Sequence, residues 1–418
     1  MDIRYGHMTT IDSREYRQTH PWLSFGSIDL KLAGAEFWML MGEARSKADH
    51  LALALLNPEA AEKLLRVYLA KGVHATTAIE GNALSEAQVA QLLEGSALPP
   101  PPSQEYLYRE VTNIVAAYNR IKDYLVEGGD PSLSVDLIKD WDRQVLDRIE
   151  EEGVTPGEIR TDSVVVGPYR GAPPQDCAYL LDRLCEWLNG ADFEPPSDDL
   201  RVPYALIKAA IAHLYLVWIH PFDNGNGRTA RLMELQVLMA AGVPMPAAHL
   251  LSNHYNITRD EYYRQLQRAS ESGGDTVPFL RYAIQGFIDG IRGQVALVWE
   301  QQYADRWEQF VYETFGGHTT TEAEQRRLRL VLCLSKEDEA VPRRDIPSLD
   351  PALAHAYSDT QRMLSRDLNA LEHMGLIEAA ARGRWRARKE RVLAFRSVRR
   401  DVRVETRARE AERAETPA

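Results

Sequence analysis

This chain predicts a mainly α-helical protein with one short β-hairpin and a C-terminal unit in which helices give way to strands. Three observations carry that. Apolar residues recur at helical spacing through Ala- and Leu-rich stretches at 46–70, 104–126, 176–189, 203–219, 228–241, 259–271 and 277–299. The run Ser163-Val164-Val165-Val166 is β-branched and is followed by Gly167-Pro168 and Gly171, a strand-then-turn pattern. Beyond about Thr320 the pattern becomes a helix at 322–335, a short one near 351–357 and another ending at Gly375. A strand from Leu376-Ile377, a turn at Arg382-Gly383 and a second strand through Val392 to Phe395 complete it.

The elements follow from local chemistry. Asn57-Pro58 supplies an N-cap and a first-turn proline, and Pro99 to Pro102 form a stiff connector after Leu98. Pro203 can open a helix whose apolar residues Ile207, Ile211, Leu214 and Trp218 share a face, and Pro221 stops it. The expected divisions are an N-terminal helical region at 1–102, a core at 103–300, a C-terminal unit at 320–398 and a charged tail at 399–418.

Composition narrows the function classes. Among 418 residues, 44% are apolar and 26% charged, as in globular proteins that bury a core. No apolar run reaches the roughly 20 residues of a membrane span, and Met1 to His20 lack a signal-peptide core. Three cysteines, Cys177, Cys185 and Cys333, cannot make a disulfide framework, so the expected setting is a reducing cytoplasm without membrane contact. The net charge of −12 is uneven, because residues 381–418 hold 13 Lys and Arg against 6 Asp and Glu. Any nucleic-acid contact therefore belongs to the C-terminus.

The stretch that carries chemistry is His220-Pro221-Phe222-Asp223-Asn224-Gly225-Asn226-Gly227-Arg228-Thr229-Ala230-Arg231. It delivers a histidine at one helix end and a glycine turn at the start of the next. Free backbone amides and the positive dipole end of a helix bind anions, and glycines let phosphate oxygens approach. Arg228 and Arg231 lie on one helix face, and guanidinium forks suit phosphate. A base near neutrality beside an anion nest points to phosphoryl or nucleotidyl transfer.

This stretch closely resembles the signature of Fic-domain proteins, His-x-Phe-x-(Asp/Glu)-Gly-Asn-Gly-Arg-x-x-Arg. The resemblance implies a helical Fic core that transfers AMP from ATP to a hydroxyl side chain of a target protein. It implies His220 as general base, with Gly225, Asn226, Gly227, Arg228 and Arg231 on the phosphates and Phe222 as a buried anchor. Further similar segments are His20-Pro21-Trp22-Leu23, Glu110-Val111-Thr112-Asn113 and, on the adenine side, Tyr262-Tyr263, so that roughly residues 20–300 are covered. Val164, Val165 and Val166 correspond to the family's flap, a hairpin that docks an extended target by strand addition. Where the family places an acid to hold Mg²⁺, this chain has Asn224, whose amide oxygen brings no charge.

Thr76-Thr77-Ala78-Ile79-Glu80-Gly81 resembles the family's inhibitory pattern, (Ser/Thr)-x-x-x-Glu-(Gly/Asn), at the end of a short helix. It implies that Glu80 pairs with Arg231 and blocks the γ-phosphate, or positions a water that removes AMP. Residues 365–377 look like the recognition helix and wing entry of winged helix-turn-helix domains, with Arg362 and Arg366 on the helix and Arg384, Arg386, Arg388 and Lys389 on the wing. The expected function is an autoinhibited protein adenylyltransferase. The alternatives are a nucleotide-sensing transcriptional regulator with a degenerate core, and transfer or removal of another group such as UMP or phosphocholine. Self-modification, a homodimer, and DNA as against protein binding by the C-terminal unit stay open.

Overall fold

The computed structural model describes residues 14–26, 28, 30–316, 321–358 and 361–393. The chain divides into two compact units, Met1–Val295 and Ala296–Ala418.

The first unit is helical. Helix α1 (Tyr16–Thr19) is one turn, and α2 (Gly34–Ala52) and α3 (Pro58–Ala78) follow. The stretch read as 46–70 is thus two helices, divided where Asn57 Oδ1 accepts from the Ala60 amide and Pro58 occupies N1. Next come α4 (Glu86–Leu93), opened by a capping box between Ser85 and Gln88, then α5 (Glu105–Val126) and α6 (Val135–Val145). Strands β1 (Val165–Val166) and β2 (Tyr169–Arg170) pair antiparallel as the expected hairpin. Helices α7 (Pro174–Leu188), α8 (Arg201–Ile219), α9 (Asn226–Ala240), α10 (Met245–Ala248), α11 (Leu250–Ile257) and α12 (Arg259–Glu271) complete the body, and α13 (Val277–Thr314) continues beyond residue 295.

Helices α8 and α9 pack as the central pair, with α9 also against α5 and α6. Residues 198–219 pass a length-and-apolarity test for a membrane span, contrary to the reading of the sequence, yet 83% of that stretch is buried inside this unit. A helix that is apolar all round suits a core surrounded by other helices. One apolar cluster takes in residues from Tyr16 to Ile291, so the division expected at 102/103 does not separate two cores.

The second unit has its own core, built on Trp307, Val311, Leu330, Leu334, Leu364, Leu368, Leu371 and Ile377. Its order is α14 (Glu322–Lys336), β3 (Val341–Pro342), α15 (Pro351–Tyr357), α16 (Gln361–His373), β4 (Ile377–Ala380) and β5 (Arg384–Ala387). The antiparallel sheet runs β3-β5-β4. The sequence pattern places the last strand through Val392 to Phe395. It lies instead at 384–387, directly after the Gly383 turn, and 389–392 form a 3₁₀ turn. Short, charged Arg384-Trp385-Arg386-Ala387 alternates two exposed arginines with Trp385 and buried Ala387, a period-2 signal masked by its charge. Ala394, Phe395 and the tail lie outside the described residues.

Candidate active site

The site forms where α8 ends and α9 begins. His220 caps α8 in the left-handed conformation, φ 49°, and Pro221 prevents the helix from continuing. Arg160, buried between hairpin and loop, secures this turn. Its Nε donates to the His220 carbonyl at 2.7 Å, its other nitrogens bind the carbonyls of Asp162 and Ala172, and its own amide donates to the Pro221 carbonyl at 3.0 Å. Nothing in the sequence singles out Arg160, because the partners through which it secures the turn, the carbonyls of His220 and Pro221, are backbone atoms some 60 positions away.

Among the described residues the His220 ring makes one hydrogen bond, between Nδ1 and the Val217 carbonyl at 3.3 Å. A carbonyl only accepts, so Nδ1 carries the proton and Nε2 keeps its lone pair. Burial, reinforced by Arg160, pushes the imidazole pKa down to about 4 against weaker opposition from the Val217 carbonyl and Glu80. The ring is therefore a neutral base at physiological pH.

Beyond it the loop fastens to itself. The Asn226 side chain accepts from the Phe222 amide at 3.0 Å and donates to the Phe222 carbonyl at 2.8 Å. It is a clasp rather than a phosphate ligand, and only the Asn226 backbone is left for the nest. Phe222 is buried in the core as the expected anchor and presents no binding surface. Gly225 has φ 82°, and a Cβ there would run into Oδ1 of Asp142. A Cβ on Gly227 would run into Oε1 of Glu80 and come within 3.1 Å of Arg231 Nη1. Gly225 is thus required by its left-handed backbone and by Asp142 on α6, whereas a side chain at position 227 would have to displace the Glu80 carboxylate at the turn that ends α3.

Asp142 carries no signal in the sequence. It accepts from the Gly157 amide at 2.8 Å and lies 3.4 Å from the Thr229 hydroxyl, beneath the start of α9. Burial pushes its pKa up to about 7, against the Gly157 hydrogen bond.

Both arginines are almost wholly buried, Arg228 at 3% exposure and Arg231 at 2%. Arg231 Nε donates to the Thr76 hydroxyl at 2.7 Å, and Nη2 donates to the Thr76 carbonyl at 3.0 Å and to Glu80 Oε1 at 2.6 Å. Thr76 and Glu80 thus meet the second arginine as the resemblance implies, although they close a 21-residue helix and not a short one. Gly81 follows at φ 97°. Burial raises the Glu80 pKa, but Arg231 and Arg228 outweigh that and hold the carboxyl below its usual range. Arg259 caps the same helix end, donating to the Ile79 carbonyl at 2.6 Å.

Arg228 donates through Nη1 to Glu110 at 2.5 Å and through Nη2 to the Asn224 amide oxygen at 3.0 Å. That oxygen also accepts from the Gly225 amide at 2.6 Å, while Asn224 Nδ2 donates to Glu151 at 2.5 Å. The Asn224 oxygen is fully used by donors, one of them cationic. No group of three or more His, Cys, Asp or Glu among the described residues is placed to hold a metal. With both donors in place, the Asn224 oxygen has no lone pair left for a metal unless Arg228 moves.

Tyr262 and Tyr263 diverge. Tyr262 is buried, with its hydroxyl 2.8 Å from His213 Nε2, so it belongs to the core and not to a ligand surface. Tyr263 is 45% exposed beside Arg259. In the flap, Val165 and Val166 are exposed and Val164 is half-buried, its carbonyl accepting from the Gly171 amide at 3.1 Å. His20 supports the hairpin from behind through the Arg170 carbonyl at 2.8 Å.

Residues 132–238 match the model of the Fic/DOC family. The protein adenylyltransferase fic-1 of Caenorhabditis briggsae is 33% identical over 232 residues, 54% of this chain and 41% of that protein. Its Caenorhabditis elegans namesake is 32% identical over 244 residues, 57% and 43% of the two chains. The chain thus spans about two fifths of the curated relatives it matches. Among solved structures, Fic-1 (residues 134–508) of C. elegans superposes with a TM-score of 0.51 at 29% identity, covering 63% of this chain and 72% of that one. A Fic family protein from Desulfovibrio desulfuricans G20, at 20% identity, covers 85% and 96% with a TM-score of 0.51, a likeness of fold. The loop that His220 opens lies inside the segment that matches the Fic/DOC family, and the relatives similar to this chain are protein adenylyltransferases.

Proposed function

We propose that this chain is an autoinhibited protein adenylyltransferase that moves AMP from ATP to a Ser, Thr or Tyr hydroxyl of a protein. The observation that carries this is the His220 ring, neutral and with Nε2 free of a protein hydrogen bond among the described residues, at the amide nest where Arg228 and Arg231 converge. The acceptor hydroxyl oxygen attacks the α-phosphorus of ATP. Its proton passes to His220 Nε2, the bond from the α-phosphorus to the β-phosphate bridging oxygen breaks, and pyrophosphate leaves. Backbone amides at the start of α9 and the two guanidiniums stabilise the charge on the phosphate oxygens. Any Mg²⁺ arrives with the triphosphate, since no group of three or more His, Cys, Asp or Glu among the described residues is placed to hold it. The exposed hairpin offers its edge to an extended target segment.

Glu80 occupies the guanidinium that the γ-phosphate needs, which makes the resting state inhibited. In the second unit Arg362 and Arg366 are exposed on α16, which supports a winged-helix surface. The wing is less available, because Arg386 and Arg388 both pair with Glu378 and Arg384 lies 3.9 Å from Glu339.

His220→Ala tests the chemistry. Transfer of label from α-labelled ATP should fall at least a hundredfold, with ATP affinity and thermal unfolding nearly unchanged. A variant that keeps a tenth of wild-type transfer removes His220 from the role of base.

A further inference from the structure

The inhibitory turn is held by more than Glu80. Two residues on, Asn82 donates through Nδ2 to the Leu107 carbonyl at 2.9 Å and to Glu110 Oε2 at 2.8 Å. The other oxygen of the same carboxylate, Glu110 Oε1, accepts from Arg228 Nη1 at 2.5 Å. One carboxylate on α5 therefore joins the segment that follows Glu80 to the first arginine of the catalytic loop. Asn82 is buried and Glu110 nearly so, so these bonds are sheltered from water and charge-assisted at the Arg228 end. Asn82 Oδ1 meanwhile accepts from the Leu84 amide at 3.0 Å and fixes the turn.

We propose that Glu110 is a positioning residue that locks the Glu80-bearing turn to Arg228 through Asn82, giving the inhibited state a second latch beside the Glu80–Arg231 pair. The proposal rests on the reading of Glu80 as inhibitor. The latch has a chemical consequence: a phosphate that draws Arg228 from Glu110 leaves that carboxylate facing Asn82 alone, so gripping the nucleotide at the first arginine loosens the turn that obstructs the second. Glu80 and Glu110 then act on two arginines of one helix, and release of either latch weakens the other.

The test uses the full chain and ATP. Asn82→Asp keeps the acceptor that Leu84 needs but sets a carboxylate against Glu110, and Asn82→Ala removes the bond without repulsion. Amide hydrogen exchange over residues 76–84 reads the latch directly, and transfer of α-labelled AMP reads its effect. Asn82→Asp should speed exchange over 76–84 at least tenfold and raise transfer three- to tenfold, with Asn82→Ala changing both in the same direction. In a Glu80→Gly background the added rise in transfer should be under twofold, because the obstruction is already gone. Wild-type exchange over 76–84 in both Asn82 variants overturns the latch. So does a Glu110→Ala chain that raises the KM for ATP while leaving that exchange unchanged, for Glu110 then only seats Arg228. If Glu80→Gly alone fails to raise transfer, the reading of Glu80 as inhibitor falls, and the exchange data still decide the latch.

Discussion

The loop from His220 to Arg231 and the C-terminal unit both gather cations, and they place them in opposite ways. Arg228 and Arg231 are buried, each bonded to side chains more than a hundred positions away, and each retains a nitrogen without a partner among the described residues, Arg228 Nε and Arg231 Nη1. An unsatisfied buried donor costs about 1–3 kcal/mol, a cost retained where a ligand is to take the bond. In the C-terminal unit Arg384, Arg386 and Arg388 are partly or fully exposed and meet nearby acids in pairs of the kind worth about 0–1 kcal/mol. Arg388 Nε is also without a hydrogen bond among the described residues, yet its side chain is about a third exposed, so what sets Arg228 and Arg231 apart is a vacancy on a guanidinium that is buried as a whole.

Glu80→Gly is the strongest way to sharpen that contrast. A charge-assisted pair of about 1.5–3 kcal/mol that competes with the γ-phosphate for Arg231 suppresses the productive pose about ten- to over a hundredfold. Transfer measured at saturating ATP should rise by that factor in Glu80→Gly and by less in Glu80→Gln, which keeps shape and an acceptor. Equal rates in all three proteins would make the Glu80–Arg231 pair structural. If modified protein accumulates only because removal has ceased, wild-type enzyme added to modified mutant strips the AMP, and Glu80 belongs to hydrolysis.

Acid probes the same burial without a mutation. His220, His249 and His254 are pushed down to about 4 chiefly by burial, and all lie in the first unit. Between pH 6.5 and 4 the unfolded chain binds protons at these histidines that the folded chain refuses, so stability falls as pH falls. Asp142 works the other way. With its pKa pushed up to about 7, it takes a proton on the folded side from neutrality downward, while unfolded aspartate waits until about 3.8, so it gains stability as pH falls. Three against one leaves a net loss of about 2 kcal/mol between pH 7.5 and 5.5. His20 and His74, also lowered, add to it. A urea midpoint that does not move between these pH values would mean that the buried histidines are protonated in the fold.

What the sequence makes legible follows the same division. The glycine turn, the arginine pair, the hairpin and Glu80 are readable because each is a local pattern with a short spacing. Arg160, Asp142 and the Asn82–Glu110 link are not, since each looks like an ordinary helix or loop residue until the fold brings its partner alongside. Tyr262 shows the converse error. Adjacent tyrosines on a helix point about 100° apart, and only the structure says which faces inward. The wing strand reads too late in the sequence because its arginines hide the alternation.

The surface cations supply a weaker effect. If the C-terminal unit reads DNA while Arg384, Arg386 and Arg388 stay engaged with Glu339 and Glu378, a chain ending at Leu393 should bind duplex DNA at about 50 mM salt through Arg362 and Arg366 alone, with a log–log salt slope near −2. A free wing adding Arg384, Arg386, Arg388 and Lys389 steepens it to about −5. No binding at that salt leaves a protein-interaction surface.

The smallest effect belongs to Asn224, at the edge between the two regimes, where a buried arginine meets an exposed acid. If a missing charge merely weakened a metal site, Asn224→Asp would restore Mg²⁺-dependent ATP binding. The structure argues otherwise. The new carboxylate would keep the donors Arg228 and Gly225, which draw it away from a metal, and its second oxygen would replace the amide that now donates to Glu151. Attraction to Arg228 and repulsion from Glu151 oppose each other, so ATP affinity across a Mg²⁺ titration should change less than about threefold. Adding Glu151→Gln removes the repulsion and should tighten the pair between the new carboxylate and Arg228, which weakens ATP binding by competing for the guanidinium. A double variant that instead binds ATP several-fold tighter, and only with Mg²⁺ present, would show that position 224 faces the metal once nucleotide is bound.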